Sequence, residues 1–405
     1  MRILQICHKP PRPAKDGGCL AIDAITTGLC AGGAEVKVLT AFTRKHPLLI
    51  DEIDPDYVEQ VDLEGVPLDT GVDVRDAYVA LLNGASYNIA RFYSHQFAMV
   101  IKRVLSRARY DVVHLESLYT TPYIETIRMH APTALISLRS HNHEFLIWEQ
   151  RWKATRNPIN RMIIRHLSKS LERYEKSVID TVDAIVAISS LEAMGYRNWG
   201  YSGPLHVSGF GIDAGTVIED HAAERTAVPS GPIRMFHLGA MDWDPNKEGM
   251  DWFAKEVWPV VRMAHPQAEF HVAGRGLDQG EWAEVDGMFN HGEVADAEAF
   301  GKPFDLLVVP LLRGAGIRVK IVEAMSRGIP VASTSTGLHG LELLDSGAVV
   351  HAEPEGFAEA IIGLLNHPER LSEMAGAGRE MIRSGFNRDA IGAKLLEFYG
   401  KHVKD

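Results

Sequence analysis

Pro310-Leu-Leu-Arg-Gly-Ala-Gly-Ile-Arg-Val-Lys-Ile-Val-Glu-Ala-Met-Ser-Arg-Gly-Ile-Pro-Val331 begins at the end of an apolar run and turns through Gly314 and Gly316. It then sets Ile317, Ile321, Ala324 and Met325 at helical spacing until Gly328-Ile-Pro330 stops the pattern. A strand, a glycine-rich turn and a helix N-terminus in that order make one βα unit. Free amides at such a turn, with the positive end of the helix dipole, favour a diphosphate. Arg318 and Lys320 are expected in the first helical turn, where cations neutralise phosphate oxygens and the charge that grows on a departing diphosphate. Glu323, three residues after Lys320, is placed to accept both hydroxyls of a ribose. The plainer reading of that spacing is a Lys320–Glu323 surface ion pair worth about 0.3 kcal/mol.

Working outward, short β-rich runs recur with helical patterns between them: Arg2 to Cys7, Glu35 to Thr40, Val112 to Leu115, Ala134 to Leu138 and Ala184 to Ile188. A second series follows residue 230: Arg234 to Leu238, Glu269 to Ala273, Leu306 to Pro310, Pro330 to Ser333 and Ala348 to His351. This alternation predicts an α/β chain with two parallel, doubly wound Rossmann-like halves. The chain has 405 residues, which suits two domains of about 200 each with a cleft between them. We expect an N-terminal domain over 1–208, a connection over 209–232, a nucleotide-binding domain over 233–385, and a last helix over 386–405 packing back on the first domain.

Hydrophobic residues make up 46 % and charged residues 23 %, a globular balance. The formal charge of −11 argues against a general nucleic-acid binder, which must neutralise many phosphates. Cys7, Cys19 and Cys30 form no CxxC pair and are odd in number, so neither a disulfide framework nor a zinc site is expected. The opening Met1-Arg-Ile-Leu-Gln-Ile-Cys7 reads as a strand and not as a signal peptide, and no run approaches the ~18 apolar residues of a membrane span. A cytoplasmic location is expected.

Two segments depart from this average. Residues 51–76 hold ten acidic residues against one Arg and read as a solvated loop region. Residues 151–176 carry eight Lys or Arg against Glu172 and Glu175, a net of +6. One reading is a surface for anionic lipid at the inner membrane face or for a phosphorylated acceptor. The other is a long amphipathic helix with a solvated basic face.

In their order and spacing, Asp16-Gly17-Gly18, Asp111-Val-Val-His-Leu115, Ser140-His141-Asn142, Ala187-Ile-Ser-Ser190, Gly209 to Asp213, Val272-Ala-Gly-Arg-Gly276, Val322-Glu-Ala-Met325 and Gly328-Ile-Pro-Val331 resemble glycosyltransferase family 4. These matches span the whole chain. Gly239-Ala-Met-Asp-Trp-Asp-Pro-Asn246 together with Gly316-Ile-Arg-Val-Lys320 resembles a subset associated with bacterial exopolysaccharide assembly. The resemblance implies the GT-B fold, two Rossmann-like domains facing a central cleft. It also implies a retaining transfer of a sugar from a nucleotide-diphosphate donor, UDP- or GDP-linked, to a glycan or lipid-linked acceptor, with the donor as substrate and no cofactor.

Carried over by position, Gly17 and Gly18 lie against the donor diphosphate, where a missing side chain allows close approach. His141 reaches the transferred sugar, and Glu323 holds the ribose. Gly239, Gly274, Arg275, Gly314, Ala315, Gly316 and Ile317 complete the donor side, and Asn142 and Glu144 stand on the acceptor side. The chain departs from the family pattern at Ala315, where a donor-sugar Glu is expected, at Ala240, where an Arg is expected, and at Lys247, which Glu248 separates from Gly249. Arg318 and Lys320 are therefore expected to take over the diphosphate.

His141-Asn142-His143-Glu144 also admits a metal reading, but no Asp-x-Asp sequence stands beside it, and metal-independent chemistry is expected. His141 as a structural loop residue is the bland alternative. Gly274-Arg-Gly276 followed by Gly280 misses the GxGxxG spacing by one. His114 reads as a buried, satisfied histidine. Trp243, Trp252 and Trp258 read as core, with Trp243 also able to stack on a base. The rival functions are a nucleotide-sugar epimerase of the same fold, which needs general acid/base carboxylates, and a non-catalytic partner subunit, motivated by Ala315 and Ala240.

Overall fold

The computed structural model describes residues 1–14, 16–71, 86–213, 215, 231–314, 317–341, 343–344 and 346–403. The chain divides into two compact units, Met1–Gly211 with Arg388–Asp405, and Ile212–Asn387. Most of the connection expected over 209–232, residues 214 and 216–230, lies outside the described residues.

In the first unit, β1 (Arg2–Cys7), β2 (Glu35–Phe42), β3 (Glu64–Pro67), β4 (Val112–Glu116), β5 (Leu135–Ser140), β6 (Ala184–Ala187) and β7 (Leu205–Val207) form one sheet. Every pairing is parallel, in the order β3-β2-β1-β4-β5-β6-β7. Alternation sends Leu4 and Ile6 into a core with Phe97, Val113 and Leu115, and Ile3 and Cys7 into one with Ile22, Ile25 and Leu29 on the other face. Burial on both faces is why these strands are rich in apolar residues at successive positions. The strand order reverses between β1 and β4, where loops leaving the carboxyl ends diverge and open a crevice.

The second unit repeats the scheme. β8 (Arg234–Leu238), β9 (Glu269–Ala273), β10 (Met288–Asn290), β11 (Leu306–Val309), β12 (Val331–Thr334) and β13 (Val349–Ala352) run parallel in the order β10-β9-β8-β11-β12-β13. The reversal here lies between β8 and β11. Met235, Phe253, Trp258, Phe270 and Val308 fill one core, and the Ile212 amide donates to Phe386 O at 2.8 Å, joining the chain's entry to its exit.

Three short strands, β3, β7 and β10, have few buried positions and were not expected from the sequence. The acidic segment is not all loop: Asp54 caps a helix over Pro55–Gln60, and β3 follows. The basic segment is no single helix either. Asn157 accepts from the amides of Ile159 and Asn160 and Pro158 starts a new helix, so Glu144–Ala154 and Pro158–Val178 are separate and pack on each other.

The helix Arg388–Gly400 belongs to the first unit and lies against the helix Gly17–Ala31. Their backbones touch through glycines: a Cβ on Gly392 would stand 2.2 Å from Gly28 O, and one on Gly28 would stand 2.6 Å from Arg388 O. On a freely placed helix Gly→Ala gains about 1 kcal/mol, but forcing a methyl into this contact costs about 1–3 kcal/mol. Gly392→Ala is therefore expected to lower stability in urea titration; a gain would refute the backbone contact.

Candidate functional site

Near the switch point of the second unit Lys320 meets His237 and Asn246, and Arg318 lies on Trp243. The helix expected after Gly316 begins at Val319, so Arg318 occupies the capping position just before it and not the first turn, and Lys320 is its second residue. Arg318 is 6 % exposed, and its guanidinium lies over the Trp243 ring, 5.2 Å from the centroid. Burial pushes Arg318 down to about 10. Burial and then the Arg318 charge push Lys320 down to about 7, against the opposing pull of Glu323.

The Lys320 ammonium is not paired with Glu323 as a surface ion pair. It points to His237 Nε2 and Asn246 Oδ1, both at 3.4 Å. His237 is held by its Nδ1–H donating to Val308 O at 2.8 Å, which leaves Nε2 as acceptor. Asn246 donates from Nδ2 to Ala240 O at 2.9 Å. Neither partner carries an anionic charge. Glu323 is partly buried, and burial raises its pKa while Arg327 opposes and Glu298 adds to the rise.

The glycines make room for these groups. A Cβ on Gly239 would stand 2.7 Å from Lys320 Nζ and 2.9 Å from His237 Nε2. Gly314, at φ +134°, leaves space for Arg318 and Trp243. Gly274, at φ +153°, passes so close under the loop after β8 that a Cβ would meet Gly239 O at 1.8 Å. Gly274 therefore shapes the site from below, while Arg275 is half-exposed and paired with Asp242 at 3.1 Å. Ile317 precedes the helix; Ala315 and Gly316 lie outside the described residues. Lys247 is engaged elsewhere, with Asp251 at 2.6 Å and Glu281 at 3.4 Å.

In the first unit the centre is Glu116, fully buried at the end of β4. Its Oε1 accepts from Gln5 Nε2 at 2.9 Å and faces His114 Nε2 at 2.9 Å. Its Oε2 accepts from Arg139 at 3.1 Å and faces His141 Nε2 at 2.7 Å. Burial would raise this carboxyl, but Arg139 and His114, with His141 bonded to it, hold it well below the carboxylate range. His141 is itself lowered, by burial first and then by Arg139 and Lys9, with Glu116 opposing. A neutral ring donating from Nε2 to Glu116 keeps Nδ1 as its acceptor. His8 packs edge-on against His141, and burial together with Lys9 pushes it down to about 3.

Asp16 caps the helix that starts at Gly17, accepting from the Cys19 amide at 2.9 Å. It also meets Lys9 at 2.7 Å and His46 at 3.1 Å. A Cβ on Gly18 would stand 2.5 Å from Lys9 Nζ. Glu144 accepts from the Tyr119 hydroxyl at 2.9 Å. Burial and then Glu175 push it up to about 7, with Tyr119, Asn142 and Lys9 opposing. Glu175 in turn accepts from the amides of Glu144 and Phe145 at the start of their helix.

The two histidines of the His141–Glu144 stretch take different partners. His143 packs against Tyr196 and Trp199, with Glu175 3.8 Å away, while His141 turns to Glu116. Among the described residues no group of three or more His, Cys, Asp or Glu is placed to hold a metal ion. Sequence reasoning missed Glu116, His8, Tyr119, His237 and Asn246. The signal for Glu116 was an acidic residue closing an apolar strand, two positions after a histidine.

Residues 232–367 match the family model described as "Glycosyl transferases group 1". Over its length the chain is similar to an uncharacterised 44.6 kDa protein of the cps region of Klebsiella pneumoniae, 19 % identical across 98 % of this chain and 99 % of that protein. It is also similar to phosphatidyl-myo-inositol mannosyltransferase of Mycobacterium leprae, 25 % identical across 39 % of this chain and 44 % of that one. Among solved structures, sucrose-phosphate synthase of Thermosynechococcus elongatus superposes with a TM-score of 0.70 at 17 % identity, covering 99 % of this chain and 98 % of that one. Anabaena HepE in complex with UDP gives 0.65 at 13 % identity, covering 99 % and 100 %. Residues 232–367 thus carry a group 1 glycosyl transferase domain, and the chain is a glycosyltransferase built from two parallel-sheet units of the GT-B type.

Proposed function

We propose that the enzyme moves a sugar, with retention of configuration, from a nucleotide-diphosphate donor to a glycan or lipid-linked saccharide. The observation that carries this reading is Lys320, whose ammonium is hydrogen-bonded to the neutral His237 and Asn246 and is depressed to about 7, close to the buried Arg318. An ammonium that meets only neutral side chains is stabilised when an anion joins it, and a diphosphate at the start of the helix Val319–Ser326 supplies it. The Anabaena neighbour was solved with UDP and with UDP-glucose, and the Klebsiella relative belongs to a cps region.

In this reading Arg318, Lys320, Gly314 and Ile317 hold the diphosphate, Glu323 the ribose, and Gly239 the space between. His141 serves the transferred sugar, Gly17 and Gly18 approach the diphosphate, and Asn142 and Glu144 meet the acceptor. The bond from the anomeric carbon to the diphosphate oxygen breaks, one forms to the acceptor oxygen, and the acceptor proton passes to the leaving diphosphate. Rate comes from orientation and from stabilising the leaving charge. No metal is required.

The basic helices extend the proposal to a membrane-borne acceptor. Ile159, Met162 and Ile163 are 66 %, 68 % and 51 % exposed, on the helix that carries Arg161 and Arg165. Exposed apolar residues among arginines suit the interface of an anionic bilayer.

Three outcomes are expected. Binding of a diphosphate restores the Lys320 charge and takes up a proton. UDP or GDP affinity should therefore be constant below about pH 7 and weaken about fivefold from pH 7 to 8 by calorimetry. Lys320→Arg should abolish that dependence, and an Arg318 plus Lys320 double Ala variant should lose at least about 100-fold; unchanged donor affinity would refute the phosphate site. Turnover should survive EDTA, and its loss with recovery on adding a divalent ion would overturn the metal-free mechanism. The protein should sediment with phosphatidylglycerol vesicles at low salt, and serine at positions 159, 162 and 163 should release it; failure of the parent to sediment removes the bilayer contact.

A further inference from the structure

Tyr399, on the helix Arg388–Gly400, is fully buried, so phenylalanine would fill the same space. Its hydroxyl instead meets His114 Nδ1 at 2.5 Å and Ser137 Oγ at 3.2 Å. His114 Nε2 faces Glu116 Oε1 at 2.9 Å, and Glu116 Oε2 faces His141 Nε2 at 2.7 Å. We propose that Tyr399 is a positioning residue for His141, acting through His114 and Glu116 along one buried hydrogen-bonded chain. The inference deepens the reading of His141 as the histidine that serves the transferred sugar, and rests on it for its functional meaning.

His114 is held at both ring nitrogens, Nδ1 by the Tyr399 hydroxyl and Nε2 by Glu116 Oε1, so the bond to Tyr399 fixes the plane of the ring. That plane sets how Glu116 Oε1 is held, and the other oxygen, Oε2, is the one that faces His141. The other ionisable groups facing this chain are His8 and Lys9 after β1, which act on His141, and Cys7, which lies near Glu116 and Arg139. None of them joins Tyr399 to the histidines. A bond from the last helix thus sets how firmly His141 is held and how readily its Nδ1 accepts a proton.

The test uses the full chain with ¹⁵N-labelled histidine rings, with His114→Gln and His141→Gln to assign the signals. Without the hydroxyl, the His114 ring loses the bond that orients it toward Glu116. In Tyr399→Phe, His141 should then show altered ring shifts and a midpoint displaced by about half a unit or more. Ring shifts and midpoint equal to the parent's, even with a lowered melting temperature, would show that Tyr399 only fills space and would overturn the proposal. Should Tyr399→Phe fail to fold, His114→Gln decides: displaced His141 ring shifts are expected, and shifts equal to the parent's overturn the coupling. Turnover by His141→Ala is a separate measurement. Undiminished activity there would remove the catalytic reading while leaving the ring coupling as measured.

Discussion

A carboxylate with no solvent contact in the middle of a parallel sheet survives as an anion only if donors surround it, and Glu116 is such a group. Taking one ion from water costs several kcal/mol, and here Arg139, His114, His141 and Gln5 offset the loss. The bonds link β1, β4 and β5, and Arg139 also donates to Ala21 O of the helix that begins at Gly17. One buried charge therefore registers the three central strands and the first helix against each other. The same bonds fix which nitrogen of His141 carries its proton, so fold and site share a single electrostatic centre.

The second unit solves the reverse problem. Its buried guanidinium belongs to Arg318, and the side chains that meet the Lys320 ammonium are the neutral His237 and Asn246. A self-balanced centre such as Glu116 with Arg139 has little to offer a charged substrate. A lysine that meets neutral side chains near a strand-order reversal is suited to an anion, which in the proposed reading arrives with the donor. The two units share a scheme of strands but divide the electrostatic work.

The βα alternation was legible because strands buried on both faces are rich in apolar residues; β8 and β9 fall at the residues expected from that pattern. The edge strands β3, β7 and β10 were not, since three or four residues with few buried positions carry no period. The break at Asn157–Pro158 was signalled by a capping residue before a proline, but the run of basic residues on both sides hid it. At the site, Lys320 was legible from its place after a glycine turn, whereas its partners His237 and Asn246 stand 83 and 74 positions away. Such pairings depend on strand order, which one sequence does not state.

The departures at Ala240 and Lys247 gain a physical sense from this arrangement. Where the family resemblance leads one to look for an arginine, the Ala240 carbonyl accepts from Asn246, and Asn246 in turn meets Lys320. The cation beside Gly239 thus comes from the start of a helix and not from the loop after β8. An arginine would stay charged at every working pH. A lysine held near neutrality gains its proton as anionic charge approaches, and in the proposed reaction that charge grows as the diphosphate departs. Interactions that strengthen only as the transition state forms are those that raise turnover, and Lys320 is placed to supply one.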